Sequence, residues 1–194
     1  MKAKILPSII MLIPFLSGCS KTTTQPYFPL AKGNTWSYTF RSGLQTFVEE
    51  FTVTRKVQIA GTQGWELSSP MGNSRATWDK GKLLINQLPT TRFYPELILL
   101  DPSEPNSERS WNGSIESNGL KQKASANIIQ KKERYKIGSR SYNTIKVTLN
   151  LNSGPKKVEV VTWFAKDIGI LSQQQRTNRY LDCAMEYLSG PDSK

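Results

Sequence analysis

The chain has 194 residues, with Lys+Arg 26 against Asp+Glu 15, a formal net charge of +11, no histidine and two cysteines. The lack of histidine excludes Ser-His and Cys-His nucleophile pairs, His-containing zinc sites and an imidazole pH switch, each of which needs a ring that titrates near neutrality. The length fits one ordinary domain with an added segment at its start, and two cysteines are too few for a disulfide scaffold.

Lys2 and Lys4 make a cationic start, residues 5–16 are apolar apart from Ser8, and Ser17-Gly18-Cys19 follows. This is the order of a secretory signal peptide, and the apolar run is shorter than the roughly 20 residues needed to span a bilayer. Leu16-Ser17-Gly18-Cys19 resembles the lipobox of bacterial lipoproteins. The resemblance implies a diacylglycerol on the Cys19 thiol, cleavage after residue 18 and further acylation, with palmitate the typical chain. Two or three acyl chains anchor a protein durably, since each buried methylene contributes about 0.8 kcal/mol. Ser20 is not the Asp that the family uses for inner-membrane retention, so the resemblance implies the outer membrane, facing the periplasm, in a host with two membranes. A Cys19–Cys183 disulfide is the competing assignment.

Cleavage takes the net charge from +11 to +9, because Lys2 and Lys4 leave. Residues 19–26 read as a polar lipidated tether. Residues 27–190 read as a single β domain, because the dominant signal has period two. Trp36, Tyr38 and Phe40 share one parity; so do Phe47, Phe51, Val53, Val57 and Ile59, with Glu50, Thr52, Thr54, Lys56 and Gln58 on the other. Asp79-Lys80-Gly81 reads as a hairpin turn between residues 75–78 and 82–87. Residues 88–112 break the pattern with Pro89, Pro95, Pro102 and Pro105, and read as a Pro-rich insertion, either a plug or a flap over a cavity. Ile145, Val147, Leu149 and Leu151 alternate with polar residues, and Asn152-Ser153-Gly154-Pro155 is a second hairpin turn into residues 158–164. Leu181, Cys183, Met185 and Tyr187 form a last inward row, with Cys183 a core thiol. The predicted fold is all-β: a single antiparallel meander of eight to ten strands forming a strongly curved sheet or half-barrel.

Two stretches, Tyr27-Phe28-Pro29-Leu30-Ala31-Lys32-Gly33-Asn34-Thr35-Trp36-Ser37-Tyr38 and Thr162-Trp163-Phe164-Ala165-Lys166-Asp167-Ile168-Gly169-Ile170-Leu171, resemble the opening and closing motifs of the TapB-like family of exported β proteins of unknown function. A third, Tyr135-Lys136-Ile137-Gly138-Ser139-Arg140-Ser141-Tyr142-Asn143-Thr144-Ile145-Lys146-Val147, is similar to that family's hairpin into a core strand. The chain departs from the family at Lys166 and Asp167, and at Ser107 and Glu108 before Trp111. The resemblance implies a half-barrel-like fold, no established catalysis and no active-site residues. Trp36 and Trp163 read as core fillers rather than ligand-stacking platforms, and Gly33 and Gly169 as turn residues.

Phosphate-cradling, paired-cysteine and calcium-loop motifs are missing from the sequence, so no catalytic residue, metal ligand or cofactor is assigned. Ser153 to Lys156 spells S-x-x-K but reads as a turn, and Glu49 and Glu50 point to opposite faces of a strand. Lys121, Lys123, Lys131, Lys132, Arg134, Lys136 and Arg140 cluster in the second half. They read as a solvated strand face, or as a surface for anionic lipid or an acidic envelope partner, and not for nucleic acid, whose recognition motifs are absent. The expected function is that of a membrane-anchored, non-enzymatic lipoprotein with a binding or structural β domain. The alternative is a carrier or chaperone for a lipid or other hydrophobic ligand, with residues 93–100 as its lid. Replacing Cys19 with Ala is expected to abolish acyl labelling and membrane retention in the host; unchanged partition into the membrane fraction would refute the anchor.

Overall fold

The computed structural model describes residues 27–191. The signal segment, Cys19 and the tether lie outside the described residues.

Twelve strands follow one another: β1 (Thr35–Ser42), β2 (Gln45–Ile59), β3 (Thr62–Ser69), β4 (Gly72–Asp79), β5 (Lys82–Leu88), β6 (Thr91–Leu100), β7 (Ser107–Ser117), β8 (Leu120–Ile137), β9 (Arg140–Ser153), β10 (Lys156–Ala165), β11 (Gly169–Thr177) and β12 (Tyr180–Ser189). Each pairs antiparallel with its neighbour in sequence, and β1 also pairs with β12, so the sheet closes into a barrel. The antiparallel meander is as expected. Its curvature goes beyond a half-barrel, and the strands number twelve rather than eight to ten. The physical reason is the edge: an open sheet leaves two rows of unpaired N–H and C=O groups, and joining β1 to β12 removes both.

One apolar cluster lines the interior, drawn from inward positions around the ring: Trp36, Tyr38 and Phe40 of β1, Ile145, Val147 and Leu149 of β9, and Phe164 of β10 among them. Two of the bulges overturn inward rows that strict alternation predicts. In β2 the register shifts between Val53 and Arg55, so that Arg55 pairs with Glu66 on the outer face. Val57 and Ile59 therefore leave the inward row that strict alternation predicts, and Ile59 instead packs outside against Gly64. In β12 the register shifts opposite Gln175 and Arg176; Cys183 and Met185 face in, while Leu181 is exposed.

The Pro-rich stretch is not a long connection. It forms β6 and the first half of β7, and Phe93, Leu97 and Leu100 are buried in the core. Pro95 is accommodated because β6 and β7 pair only at Arg92/Glu116, Phe93/Ile115 and Tyr94/Ser114, and part where the missing N–H would be needed. At that point Gly113 lets the backbones approach, since a Cβ there would collide with the Tyr94 carbonyl, and the Trp111 indole donates to Pro95 O at 3.2 Å.

Beyond Pro95, side chains take over from the ladder. Gln130 Oε1 accepts from Asp101 N and from Arg109 Nη2, both at 2.7 Å. Gln130 Nε2 donates to the carbonyls of Asp101 and Glu104, both at 2.9 Å. The Asp101 carboxylate in turn receives Ser103 Oγ at 2.6 Å and Lys82 Nζ at 2.9 Å. Burial pushes the Asp101 carboxyl up, but the hydrogen bonds from Ser103 and Lys82 outweigh it and hold the group below its ordinary 3.8.

The end of the barrel holding the described N-terminus is plugged, and residues 27–30 do it rather than 93–100. Phe28 stacks on Trp36 with ring centroids 5.0 Å apart and meets Phe164 edge-on at 6.5 Å. Trp36 Nε1 donates to Ile168 O at 2.7 Å, and Trp78 Nε1 donates to Phe28 O at 2.9 Å. Gly169, at φ 110°, packs so close to Phe28 and Trp36 that a Cβ would lie 3.0 and 3.1 Å from them.

Truncating Phe28 to Ala is expected to cost about 3–5 kcal/mol in urea unfolding; a loss well under that range would show that the plug does not hold this end. Because the Asp101 pKa is depressed on folding, its contribution is present above the ordinary value and is lost as pH falls through the folded one. Asp101→Asn is therefore expected to lower the thermal midpoint at neutral pH and to flatten its acid limb, and parallel acid limbs in the two proteins would contradict this.

Candidate functional site

The two ends of the barrel differ. The β2–β3, β4–β5, β6–β7, β8–β9 and β10–β11 turns lie at the plugged end with Tyr27 and Gly190; the other six hairpin turns lie at the opposite, distal end.

The basic cluster read from the sequence is divided between them. β8 is 18 residues long, and its pairing with β7 stops at Gln130 opposite Ser107, while β10 stops at Thr144 opposite Ala165. Residues 131–133 line the edge that β7 leaves free while their β9 partners still pair with β10, and residues 134–143 project from the plugged end as a two-stranded ribbon, about 10 Å at the usual rise per residue. Arg134, Lys136 and Arg140 are exposed on it, and Lys131 and Lys132 are exposed at its base. Lys121 and Lys123 sit at the other end of the same strand, where Lys121 Nζ lies 4.4 Å from the centre of the Tyr94 ring.

Trp163 braces the ribbon's base. It is 7% exposed, yet it is on the outer face and outside the core cluster. Its ring lies 4.8 Å from Tyr135, with Lys146 Nζ 5.3 Å above it, and its Nε1 donates to Glu133 Oε1 at 2.5 Å. Of the two tryptophans expected in the core, Trp36 is there and Trp163 is not.

The distal end carries an apolar fringe. Among the described residues, Leu44, Phe47, Val48, Met71, Tyr180 and Leu181 are exposed large apolar side chains on the neighbouring strands and turns of the arc β4-β3-β2-β1-β12-β11, while Tyr94 and Leu120 stand apart on β6 and β8 and Leu188 lies near the plugged end. Exposed apolar side chains gathered in one place mark interaction sites, whereas scattered ones do not. Arg41 and Arg179 lie on the same arc. A cleft of about 450 Å3 opens there between Arg41, Arg176, Leu181 and Cys183. A second, of about 260 Å3, lies beside Pro95 between Arg75, Arg92 and Tyr94. Both are open to solvent. Cys183 is half-buried and makes no disulfide among the described residues; burial and then Asp182 push its thiol up, which makes it a poor nucleophile.

Inside this arc lies the group that the parity reading passed over. Glu49 occupies an inward position between Phe47 and Phe51 and is 6% exposed, whereas Glu50 faces out and accepts from Ser37 Oγ at 3.4 Å. The available signal was a lone acidic residue on the apolar parity of a strand. Burial pushes the Glu49 carboxyl above its ordinary 4.5.

Ser153 and Lys156 face each other across the β9–β10 turn, where Gly154 has φ 56°, so the S-x-x-K spelling falls in a hairpin as expected. Among the described residues no group of three metal-ligating carboxylate or thiol side chains comes together.

No family model and no curated protein matches the sequence. Solved structures do. A candidate lipoprotein from Parabacteroides distasonis superposes with a TM-score of 0.55 at 13% identity, over 86% of this chain and 99% of that one. An exported protein with YmcC-like fold from Bacteroides fragilis superposes with a TM-score of 0.52 at 12% identity, again over 86% and 99%. The chain thus shares the fold of those proteins, described for the second as YmcC-like.

Proposed function

We propose that this chain is a lipid-anchored protein of the bacterial cell envelope, related to the TapB-like exported proteins, whose barrel is a non-catalytic binding and structural module held against an anionic bilayer. Its attachment residue is Cys19, and its place is the outer membrane, facing the periplasm, in a host with two membranes. The observation that carries the reading is that the basic ribbon and the first described residue, Tyr27, leave the barrel at the same end. Eight residues from Cys19 to Tyr27 reach at most about 28 Å when extended. The ribbon's length of about 10 Å is within that reach, so an acylated Cys19 would bring the five cations of the ribbon and its base to the headgroups. Each contributes about 1 kcal/mol near an anionic surface. The distal fringe then faces away from the bilayer, toward a protein of the envelope.

The similarity in fold to candidate lipoproteins and exported proteins supports this reading. A carrier needs an internal cavity and a lid. Residues 93–100 belong to β6, and core side chains line the ring, so no observation favours that alternative.

Among the described residues 27–191 the ring already closes through β1 and β12, so a chain starting at Ser20 retains the barrel and leaves out the lipid. That chain is expected to sediment with phosphatidylglycerol-containing vesicles at low salt and not with pure phosphatidylcholine. Changing Lys131, Lys132, Arg134, Lys136 and Arg140 to Gln should weaken this by roughly a hundredfold or more. Changing the distal Lys121, Lys123, Lys156 and Lys157 should change it several-fold at most. A larger effect from the distal set would overturn the orientation, and no preference for anionic vesicles would remove the bilayer as partner.

A further inference from the structure

The pairing of β1 with β2 sets Tyr38 directly opposite Glu49, Phe40 opposite Phe47 and Trp36 opposite Phe51. Directly opposed residues share a face with Cβ atoms about 5 Å apart, and residues two apart on one strand share it too. Glu49 is therefore flanked by Phe47 and Phe51 along its own strand and faced by Tyr38 from the next, with Tyr187 beyond it opposite Tyr38. These rings pack on one another: Tyr38 meets Phe51 at 5.4 Å and Tyr187 at 6.3 Å, and Phe40 meets Phe47 at 5.2 Å.

In this setting Glu49 Oε2 is buried and accepts no hydrogen bond. Among the described residues its carboxylate makes no ion pair within 4.0 Å. A carboxylate oxygen taken from water with neither donor nor counter-charge is disfavoured, and aromatic rings beside it add nothing for an anion. Such rings attract cations to their faces, and a carboxylate beside them supplies the counter-charge. What the arrangement lacks is one positive group carrying N–H or N–CH hydrogens. Phe47 is 39% exposed, so the carboxylate lies one side chain in from the distal mouth.

We propose that Glu49, with the rings of Tyr38, Phe47 and Phe51, forms a binding site for the ammonium group of a small organic amine at the distal mouth of the barrel. A divalent metal does not suit it, since hard cations collect several oxygen ligands and the only carboxylate on this inward row is Glu49. The other titratable groups facing it, Tyr38 and Tyr187, are phenols; burial and then Tyr187 push Tyr38 well above its ordinary 10.0, which keeps it neutral. The site is separate from the basic ribbon and independent of the anchor.

The test follows thermal unfolding of the chain starting at Ser20 in tetramethylammonium or methylammonium chloride, against sodium chloride at equal ionic strength. Either ammonium salt is expected to raise the midpoint saturably above the sodium control. Glu49→Gln is expected to raise the basal midpoint, by removing the unpaired charge, and to abolish the ammonium response. Phe47→Leu, at the exposed mouth, keeps the carboxylate and should bind about fivefold more weakly, read from the broadening of the tetramethylammonium methyl resonance. An equal ammonium response in Glu49→Gln, or a wild-type response no larger than to sodium, overturns the proposal. So does unchanged affinity in Phe47→Leu, which decides the matter if Glu49→Gln does not fold.

Discussion

The structure depends on closing a twelve-stranded ring, and closure depends on bringing the first strand to the last. β1 meets β12 over the register Ser37↔Ser189 to Ser42↔Cys183. The indole of Trp36, at the start of β1, is tied to the carbonyl of Ile168 in the β10–β11 turn at 2.7 Å. The two stretches that resemble an opening and a closing motif are thus one latch in space: Phe28 and Trp36 from the first, Phe164, Ile168 and Gly169 from the second. Gly169 belongs to it because its lack of a Cβ admits both rings.

Closure has a cost, and it is met locally. A ring of uniform ladders leaves no place for Pro95, yet the β6–β7 seam parts there and Gln130 supplies four hydrogen bonds to Asp101, Glu104 and Arg109 instead. A buried polar network of this kind is tolerated when its groups bond to one another, and here only the Arg109 Nε is left with neither a hydrogen bond nor an ion pair. Glu49 is the contrast, an inward carboxylate with an oxygen that no neighbour satisfies. A closed barrel with a side-chain interior can interact only through its outer face and its two ends. At the ends this chain places different chemistry: a cationic ribbon where the chain enters, and at the other an apolar fringe, with cations of its own, around a buried acid.

Alternation revealed most strands and their inward rows, as for Trp36, Tyr38 and Phe40, and Ile145 to Leu151. It failed where a single extra residue changes the parity. The bulge in β2 carries Val57 and Ile59 to the outer face, and the one in β12 exposes Leu181, and neither leaves a mark in the pattern of apolar residues. It failed again at residues 91–100, because the rule against Pro in strands holds for positions that must donate, and Pro95 sits where a ladder has already ended. Trp163 was misplaced for a related reason. A strand buried on both faces, as β10 is at Val161, Trp163 and Phe164, has no parity to read.

By itself the sequence determined the all-β antiparallel character, the hairpin turns at Gly81 and Gly154, and a cationic second half, since each rests on neighbours within a few residues. The tertiary structure alone decided that the sheet closes, that residues 27–30 plug one end, that the basic residues part toward opposite ends, and that Glu49 stands among rings. These are pairings between residues far apart in the chain, set by register and bulges, and local periodicity does not record which distant strand a residue will face.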